Sequence, residues 1–359
     1  MGVFDHAAYE EHQQVVFCRR ERAGLTAIIA VHDTTLGPAI GGCRMAPYPG
    51  EEEALADALR MSRAMTYKAA CAGTNLGGGC AVILGDPESD KTEVQLRAFG
   101  QFVDSLDGRF IASTDIGTTS EDMDTINLET DHVCGVGQHY GGSGDPSPVC
   151  AWGVLYGMKA ASMRLWDNES LAGKKVAIQG VGKVGAQLAR YLYDEGAELF
   201  VSDLEKGNTD RVKREFGATV VDADEIYEQD VDVFAPCALG GALRTDTIER
   251  IKAKVVVGSA NNQLQDEARD AETLQKRDIL YAPDFVVNAG GLISVYTEIH
   301  AAPREKAMRD TEGIVQTLGR IFDLAEQEKI TTLEAANRVA RQRIEEIGAL
   351  AGFHIGPLE

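Results

Sequence analysis

The 359-residue sequence lacks the features of membrane and secreted proteins. It contains no run of about 18 apolar residues, so no transmembrane helix is expected. The first residues, Met1 to Ala7, include neither a basic nor an apolar segment, so no secretory signal peptide is expected. Seven cysteines are scattered without a Cys-x-x-Cys pair, which favours free thiols. These absences predict a cytoplasmic protein.

Metal-binding motifs and positive charge are also scarce. The seven histidines include no His-Glu-x-x-His motif or paired ligand spacing, so no metal site is expected. Lys and Arg number 35 against 56 Asp and Glu, and the formal net charge is −21. Such a surface repels nucleic acid and anionic membranes, so neither is expected as a partner. The same charge is compatible with a salt-tolerant source.

The chain alternates short apolar runs with helical patterns, which is typical of an α/β protein. Residues 26–31 and 81–84 predict strands, and a break in the C-terminal helical pattern is expected near residue 328. Its length allows two domains with full cores. Residues 141–148 are rich in Gly, Ser and Pro and predict a hinge or linker. Beyond it, strand-like runs separated by helical segments predict a parallel sheet covered by helices.

The strongest local signal is a dinucleotide-binding pattern. An apolar run at 176–178 leads into Gly180-Val181-Gly182-Lys183-Val184-Gly185, a helical segment follows, and a second strand-like run ends at Asp203. The first glycine permits a tight turn, the second lets backbone approach a pyrophosphate, and the third lets the helix pack on the strand. The free N–H groups of the helix N-terminus favour phosphate. The alternative is an ordinary strand, turn and helix.

The acid at the end of the second strand bears on the choice of cofactor. The Asp203 carboxylate would accept hydrogen bonds from an adenosine ribose and repel a 2′-phosphate, so NAD is favoured over NADP. Lys183 and Lys206 lie nearby in the sequence and weaken this preference.

Three features of the first half bear on chemistry, each with an alternative. Lys68 continues the apolar stripe of a helix that begins at Glu51, where it would either meet a substrate carboxylate or reach water at the helix end. Asp115 follows the apolar run 110–112, either as an active-site acid or as the N-cap of a helix that starts near Ser120. Gly41 and Gly42 suit either close approach of a ligand or a turn.

Nine motifs in order resemble the leucine, valine and phenylalanine dehydrogenase branch of the amino-acid dehydrogenases, most closely leucine dehydrogenase. The resemblance covers essentially the whole chain. The motifs begin at Pro38, Met65, Asn75, Asp115, Ser143, Gly180, Ala235, Ser259 and Val287.

The resemblance implies NAD-dependent oxidative deamination of a branched-chain or aromatic L-amino acid to a 2-oxo acid and ammonium. It implies a homo-oligomer, from dimer to octamer. It also implies two domains with a cleft between them. The substrate and oligomerisation domain would comprise 1–140 with the C-terminal helix at about 330–359, and the Rossmann-type NAD domain would comprise 141–329.

Site residues follow from the same resemblance. Lys68 would bind the substrate carboxylate with help from Asn261, and Asp115 would assist proton transfer. The substrate pocket would include Ile40, Gly41, Gly42, Met65, Lys68, Ser113, Cys134, Asn261, Gly291 and Ser294. The NAD site would include Cys150, Gly180, Val181, Gly182, Lys183, Val184, Gly185, Asp203, Leu204, Cys237, Ala238, Asn261 and Asn288.

The sequence departs from the family at its catalytic lysine, because Gly77-Gly-Gly-Cys80 stands where the family has Gly-Gly-Gly-Lys. Thr114 replaces a usual acid, and Cys134 and Cys150 stand where hydroxyl residues are common. Loss of a general base costs about 10²–10⁴-fold in rate. The Cys80 thiol is expected to titrate near neutral pH, but its thiolate carries the opposite charge to a lysine. Cys80 is compatible with altered chemistry in which the thiol reacts or forms a wall, with a deliberate substitution, or with a slow dehydrogenase that relies on Asp115 and water.

Three functions therefore remain open. The first is the amino-acid dehydrogenase, with Lys68, Asp115 and Cys80 at the reacting centre. The second is a biosynthetic enzyme of the same fold that binds NAD and a 2-amino or 2-oxo acid and uses Cys80 for addition or condensation. The third is a homologue that binds ligands without catalysis.

Overall fold

The computed structural model describes residues 2–350, which form two compact units. Unit 1 takes in 2–144, 295–303 and 340–350, and unit 2 takes in 145–294 and 304–339. The last part of the expected C-terminal helix, 351–359, lies outside the described residues. Within 2–350, no helix has the length and apolar character needed to cross a membrane.

Unit 1 is built on a five-stranded mixed sheet. Its strands are β1 (Gln14–Arg20), β2 (Leu25–Asp33), β3 (Ala39–Ala46), β4 (Gly77–Leu84) and β5 (Phe110–Thr114). Their order is β1-β2-β4-β3-β5. β1 and β2, and β2 and β4, pair antiparallel, whereas β3 pairs parallel with both β4 and β5. The C-terminal ends of β3 and β5 therefore lie at the same end of the sheet.

Helices cover both faces of this sheet. They are α1 (Glu51–Cys71), α2 (Glu93–Asp104) and α3 (Ser120–Asn127). Leu55, Ala58 and Leu59 of α1 pack on one face against Ile28 and Val82. On the other face, residues of α2 and α3 pack in the larger core around Phe110. Three glutamates in the first turn of α1 and Lys68 in its last turn complement the helix dipole.

Two strands of unit 1 were not anticipated from the sequence. β1 and β3 carry glycine, arginine or glutamine among their apolar residues, so neither has a simple apolar signature. Gly41 and Gly42 lie inside β3, so their interpretation as a turn is wrong. β4 begins at Gly77, earlier than the expected start at Ala81. A Cβ on Gly41 would lie 1.7 Å from the Gly79 carbonyl oxygen, so close packing explains glycine here.

Unit 2 contains a six-stranded sheet in which every pairing is parallel. Its strands are β6 (Lys175–Gln179), β7 (Glu198–Ser202), β8 (Thr219–Val220), β9 (Val233–Pro236), β10 (Val255–Val256) and β11 (Leu280–Tyr281). Their order is β11-β10-β9-β6-β7-β8. This is the strand order of a Rossmann fold, with its switch point between β6 and β9. The expected parallel, helix-covered sheet is confirmed.

The remaining helices follow in chain order. They are α4 (Ser147–Trp166), α5 (Lys183–Asp194), α6 (Lys206–Phe216), α7 (Thr245–Arg250), α8 (Glu267–Lys276), α9 (Asp284–Val287), α10 (Gly290–Ile299), α11 (Arg304–Thr311), α12 (Ile314–Glu328) and α13 (Thr332–Gly348). The break expected near residue 328 is confirmed, because Lys329 takes a left-handed conformation that ends α12.

The end of α13 is anchored to unit 1 through Arg343. Its guanidinium donates hydrogen bonds to the carbonyl oxygens of Ala70, Gly73 and Thr74, at 3.1, 3.1 and 2.9 Å. These carbonyls lie at or just beyond the C-terminus of α1, where a cation also complements the helix dipole. The contact stabilises the helix that carries Lys68.

Two histidines link β2 and the start of β1 to α1. His12 and His32 meet edge to face with ring centroids 4.8 Å apart. His12 Nε2 lies 3.0 Å from the Leu59 carbonyl oxygen, and His32 Nδ1 lies 2.8 Å from Thr66 Oγ1. Burial, and next the neighbouring His12, lower the pKa of His32 to about 4. Burial also lowers the pKa of His12.

This pair predicts acid sensitivity of unit 1. In the folded protein His32 titrates near 4, but in the unfolded chain it titrates near 6.5. Between these pH values the unfolded state therefore binds more protons than the folded state. As the pH is lowered through this range, the free energy of unfolding should fall by up to about 1.4 kcal/mol per pH unit for this group. Denaturant unfolding between pH 8 and pH 4 measures the slope, and His32→Gln should reduce it.

The measurement at pH 8 is the control, since the imidazoles are then neutral in both states and the variant shows only its constant packing cost. An equal slope for parent and His32→Gln below pH 6.5 would contradict the assignment.

Candidate active site

The glycine loop of unit 2 lies at the switch point of the parallel sheet. Gly180 follows β6 with a φ of +91°, and a Cβ there would lie 2.7 Å from the Ala238 Cβ. A Cβ on Gly185 would lie 2.0 Å from the Gly180 carbonyl oxygen. Gly182, by contrast, faces open space. The loop therefore packs tightly on two sides and exposes backbone on the third, as a pyrophosphate requires.

Asp203 lies beside this loop at the end of β7. Its Oδ2 accepts a hydrogen bond from Val181 N at 2.8 Å, and its Oδ1 accepts one from Glu205 N at 2.8 Å. The carboxylate is therefore held in place next to the glycine loop. Arg211 donates to the Val181 carbonyl oxygen at 3.4 Å, so a cation also lies close by. Leu204 is largely exposed.

A cavity of about 420 Å³ adjoins the N-terminus of α5. Gly182 lines it just before α5, Lys183 and Gln187 line it from α5, and Arg211 and Glu215 line it from α6. Asp145 also lines it, so acids and bases share its wall. It lies next to the free N–H groups of the helix, where anions are stabilised.

A second group of expected cofactor residues clusters around Asn288. Asn288 Nδ2 donates to Asn261 Oδ1 at 2.8 Å and to the Ser259 carbonyl oxygen at 3.2 Å. Cys150 Sγ lies 3.7 Å from the Asn288 carbonyl oxygen. Asn288 is 5% exposed, yet its Oδ1 has no hydrogen-bond partner among the described residues. Buried polar atoms are normally paired, so this oxygen is suited to a ligand donor.

In unit 1, strand register brings the reacting residues together. Gly42 on β3 lies opposite Ser113 on β5, and Cys43 lies opposite Ala81, which places Gly42 beside Cys80 on β4. A Cβ on Gly42 would lie only 2.6 Å from the Asp115 Cβ. The bare backbone of Gly42 therefore lets the Asp115 side chain lie over the sheet beside Cys80. A helix-cap role for Asp115 is wrong, because Thr119 caps α3.

Asp115 is held by backbone and side-chain contacts. Its N–H donates to Thr118 Oγ1 at 2.9 Å, and its Oδ1 accepts from Ile116 N at 2.7 Å. Its Oδ2 lies 3.3 Å from a guanidinium nitrogen of Arg44. Arg44 also donates to Asp57 at 2.9 Å.

Cys80 is 1% exposed, and its Sγ lies 3.4 Å from the Gly42 carbonyl oxygen. Burial raises the pKa of its thiol well above the ordinary value, and the nearby Asp115 raises it further. The thiol therefore remains neutral near neutral pH. The sequence-based expectation that it would titrate there is wrong, because burial penalises the thiolate.

The other expected substrate residues are divided between unit 1 and unit 2. Met65 and Lys68 occupy the last two turns of α1, and Ile40 is buried in β3. Cys134 is buried with its Sγ 3.3 Å from the Ala112 carbonyl oxygen. In unit 2, Gly291 and the buried Ser294 lie on α10, and Cys237 follows β9 next to Ala238.

Several residues near the site were missed by sequence reasoning. Arg44 was recognised only as part of a motif. Asp57, which accepts a hydrogen bond from Arg44, and Tyr48, which donates one to Asp57, were not considered. Glu298 also went unnoticed, although it accepts hydrogen bonds from Gly135 N and from Ser143. No sequence spacing marks these groups, since their contacts depend on how strands and helices pack.

Two family models match parts of this chain. Residues 12–132 match the model of the Glu/Leu/Phe/Val dehydrogenase dimerisation domain, and residues 200–352 match that of glutamate/leucine/phenylalanine/valine dehydrogenase. The chain is 51% identical over 345 residues to leucine dehydrogenase of Thermoactinomyces intermedius. The aligned residues cover 96% of this chain and 94% of the relative.

The protein belongs to the Glu/Leu/Phe/Val dehydrogenase family. The resemblance seen in its motifs is thus confirmed, and so is the two-domain α/β fold. Members of this family are oxidoreductases that act on CH–NH₂ donors.

Two further relatives support membership of the Glu/Leu/Phe/Val dehydrogenase family. Phenylalanine dehydrogenase of Bacillus thermotolerans is 48% identical over 354 residues, which cover 97% of this chain and 92% of the relative. The crystal structure of L-tryptophan dehydrogenase from Nostoc punctiforme superposes with a TM-score of 0.84 at 49% identity, covering 94% of this chain and 97% of that one.

Between residues 2 and 350, no group of three or more His, Cys, Asp or Glu side chains is placed to hold a metal ion.

The burial of Cys80 predicts low thiol reactivity. Native protein at pH 8 should incorporate iodoacetamide at Cys80 at least about 100-fold more slowly than the unfolded chain, because alkylation requires an accessible thiolate. Peptide mapping by mass spectrometry after timed quenching measures the rate at this position.

Protein unfolded in guanidinium provides the matched control, since all seven cysteines are then accessible. Rapid labelling of Cys80 in the native protein would show that the thiol acts as a nucleophile.

Proposed function

We propose that this protein catalyses the reversible NAD-dependent oxidative deamination of a branched-chain or aromatic L-amino acid. The amino acid, water and NAD⁺ would yield a 2-oxo acid, ammonium, NADH and a proton. The observation that carries the proposal is the position of Asp115 over Gly42 next to Cys80, in a chain of this family.

The residues of unit 2 suit a dinucleotide. The open backbone at Gly182 and the N-terminus of α5 would hold its pyrophosphate, and Asp203 would bind its adenosine ribose. The unpartnered Oδ1 of Asn288 would accept a hydrogen bond from its amide. When bound, the cofactor supplies a hydride acceptor. The negative charge of Asp203 supports NAD rather than NADP.

The residues of unit 1 suit an amino acid. Lys68, at the end of α1, would bind the substrate carboxylate. The Asp115 carboxylate would take a proton from the substrate amino group and from the water that attacks the iminium left after hydride loss from the α-carbon. Ile40, Met65 and Cys134 would form apolar walls around the side chain.

Cys80 limits the rate that this arrangement can reach. A lysine at this position would supply a positive charge and, as a neutral amine, a base. The neutral Cys80 thiol is a weak donor and supplies neither. We therefore propose a slow dehydrogenase in which Asp115 carries proton transfer. Burial of the thiol argues against the biosynthetic alternative, in which Cys80 would act as a nucleophile. Ligand binding without catalysis is therefore the second candidate function.

The substrate side chain and the assembly are proposed more broadly. Relatives named for leucine, tryptophan and phenylalanine are similarly close to this chain, so the pocket would accept branched aliphatic or aromatic side chains. We propose that unit 1 forms the substrate and oligomerisation domain and that unit 2 forms the NAD domain. These bounds differ from the expected 1–140 with 330–359 and 141–329, because 295–303 pack with unit 1 and 304–339 pack with unit 2. The match to a dimerisation domain supports a homo-oligomer, which light scattering on the purified protein would test.

Restoring lysine at position 80 should raise activity. Cys80→Lys returns a cation and a base to the site, so its kcat should exceed that of the parent by about 10²–10⁴-fold, which corresponds to about 3–5 kcal/mol of barrier. NADH absorbance with NAD⁺ and a panel of branched-chain and aromatic L-amino acids measures the gain.

Cys80→Met is the matched control, because it adds length at the same position without charge or basicity. An equal gain from methionine, or a parent that is already as fast as Cys80→Lys, would contradict the missing-base argument. Absence of turnover in both proteins, with retained binding of NAD and amino acid, would favour the ligand-binding homologue.

Cofactor preference should depend on the charge of Asp203. The parent should bind NAD more tightly than NADP, and Asp203→Asn should narrow the ratio of dissociation constants by about tenfold, since asparagine keeps the shape but removes the repulsion of a 2′-phosphate. Calorimetric titration of each cofactor measures the ratio. A parent that binds NADP as tightly as NAD would contradict the preference.

A further inference from the structure

Arg44 joins the candidate site to the interior of unit 1. It lies two residues after Gly42 on β3, so its side chain leaves the same face of the sheet. One guanidinium nitrogen lies 3.3 Å from Asp115 Oδ2, and the other donates to Asp57 Oδ2 at 2.9 Å. Arg44 therefore bridges an acid on α1 and the acid that follows β5.

The far end of this bridge is fixed. Asp57 also accepts a hydrogen bond from the Tyr48 hydroxyl at 2.5 Å. The side chains of Arg44 and Asp57 are each 20% exposed, so water screens their attraction less than at an open surface. Burial lowers the pKa of Arg44, but Asp115 and Asp57 outweigh it and raise that pKa above its ordinary value. The guanidinium thus stays charged.

The near end of the bridge completes the support of Asp115. One carboxylate oxygen is already bound by Ile116 N, and the backbone N–H is bound by Thr118. Arg44 contacts the other carboxylate oxygen, Oδ2. This oxygen lies above Gly42, 3.0 Å from the point that a Cβ added to Gly42 would occupy. The orientation of that oxygen over the strand therefore depends on Arg44.

Cys80 increases the importance of this contact. It lies on the face that packs against α1, as do Ala30 and Val82, so a lysine there would share the neighbourhood of Asp115. The neutral thiol brings no charge to Asp115, whereas Arg44 does.

We propose that Arg44 is a positioning residue for Asp115, held by Asp57 and Tyr48, and that it orients the carboxylate for proton transfer in place of a cation on β4. The proposal rests on the dehydrogenase function proposed above.

The kinetic test compares Arg44→Met, Arg44→Lys, Asp115→Asn and the double variant Arg44→Met/Asp115→Asn, each in the parent and in Cys80→Lys. Arg44→Met should lower kcat by about 10–100-fold with KM changed less than about threefold, because a misplaced catalytic group slows the step without weakening substrate binding. Arg44→Lys should recover part of the loss. In the Asp115→Asn background, Arg44→Met should cost less than about threefold, since its effect passes through Asp115.

Arg97→Met is the matched control. Arg97 also bridges two acids, Glu93 and Glu129, but on α2 outside the site, so its loss should leave kcat unchanged. If Arg44→Met unfolds, Asp57→Asn replaces it, because that change loosens Arg44 without removing it and should cause a smaller loss of the same sign. An equal cost of Arg44→Met with and without Asp115, or a change in KM alone, would overturn the proposal.

A readout that does not need turnover separates this proposal from the function on which it rests. Crystal structures of the parent and Arg44→Met should show the Asp115 carboxylate turned away from Gly42 in the variant. An unmoved carboxylate would overturn the positioning role. Turnover absent even in Cys80→Lys, together with a carboxylate that moves, would reject the dehydrogenase while retaining the positioning of Asp115 by Arg44.

Discussion

The approach of Asp115 to the bare backbone of Gly42 is the contact on which the candidate active site depends. A single methyl group at Gly42 would lie 2.6 Å from the Asp115 Cβ and force the acid away. Neighbouring β3 and β4 are equally restricted, since Gly41 packs against the Gly79 carbonyl oxygen. The glycines of this sheet are therefore needed for strand packing, and that packing leaves room for the Asp115 side chain.

Charge in unit 1 is organised around the same contact. Arg44 lies between Asp57 and Asp115, and Cys80 adds no charge because burial keeps its thiol neutral. A catalytic site of this kind combines a fixed acid with little competition from water. A lysine on β4 would add a cation and a base, neither of which the neutral thiol of Cys80 supplies.

The dinucleotide loop illustrates how far local sequence can go. Gly180, Gly182, Gly185 and Asp203 were identified from spacing, and in the structure the glycines form one loop to which Asp203 is hydrogen-bonded. The roles are local because strand, turn and helix follow one another in the chain. Cys237, Ala238, Asn261 and Asn288 came instead from resemblance, since they reach this region from other strands and loops.

The sequence by itself determined the alternation of strands and helices, the parallel sheet of unit 2, the glycine loop and the family, because these depend on periodicity and on motifs of a few residues. Only the tertiary structure decided that Gly41 and Gly42 lie within a strand, that Cys80 is a neutral buried thiol, and that Arg44 connects Asp57 with Asp115. The physical reason is that burial, register and charge pairing depend on residues distant in the chain, whose proximity no local pattern records.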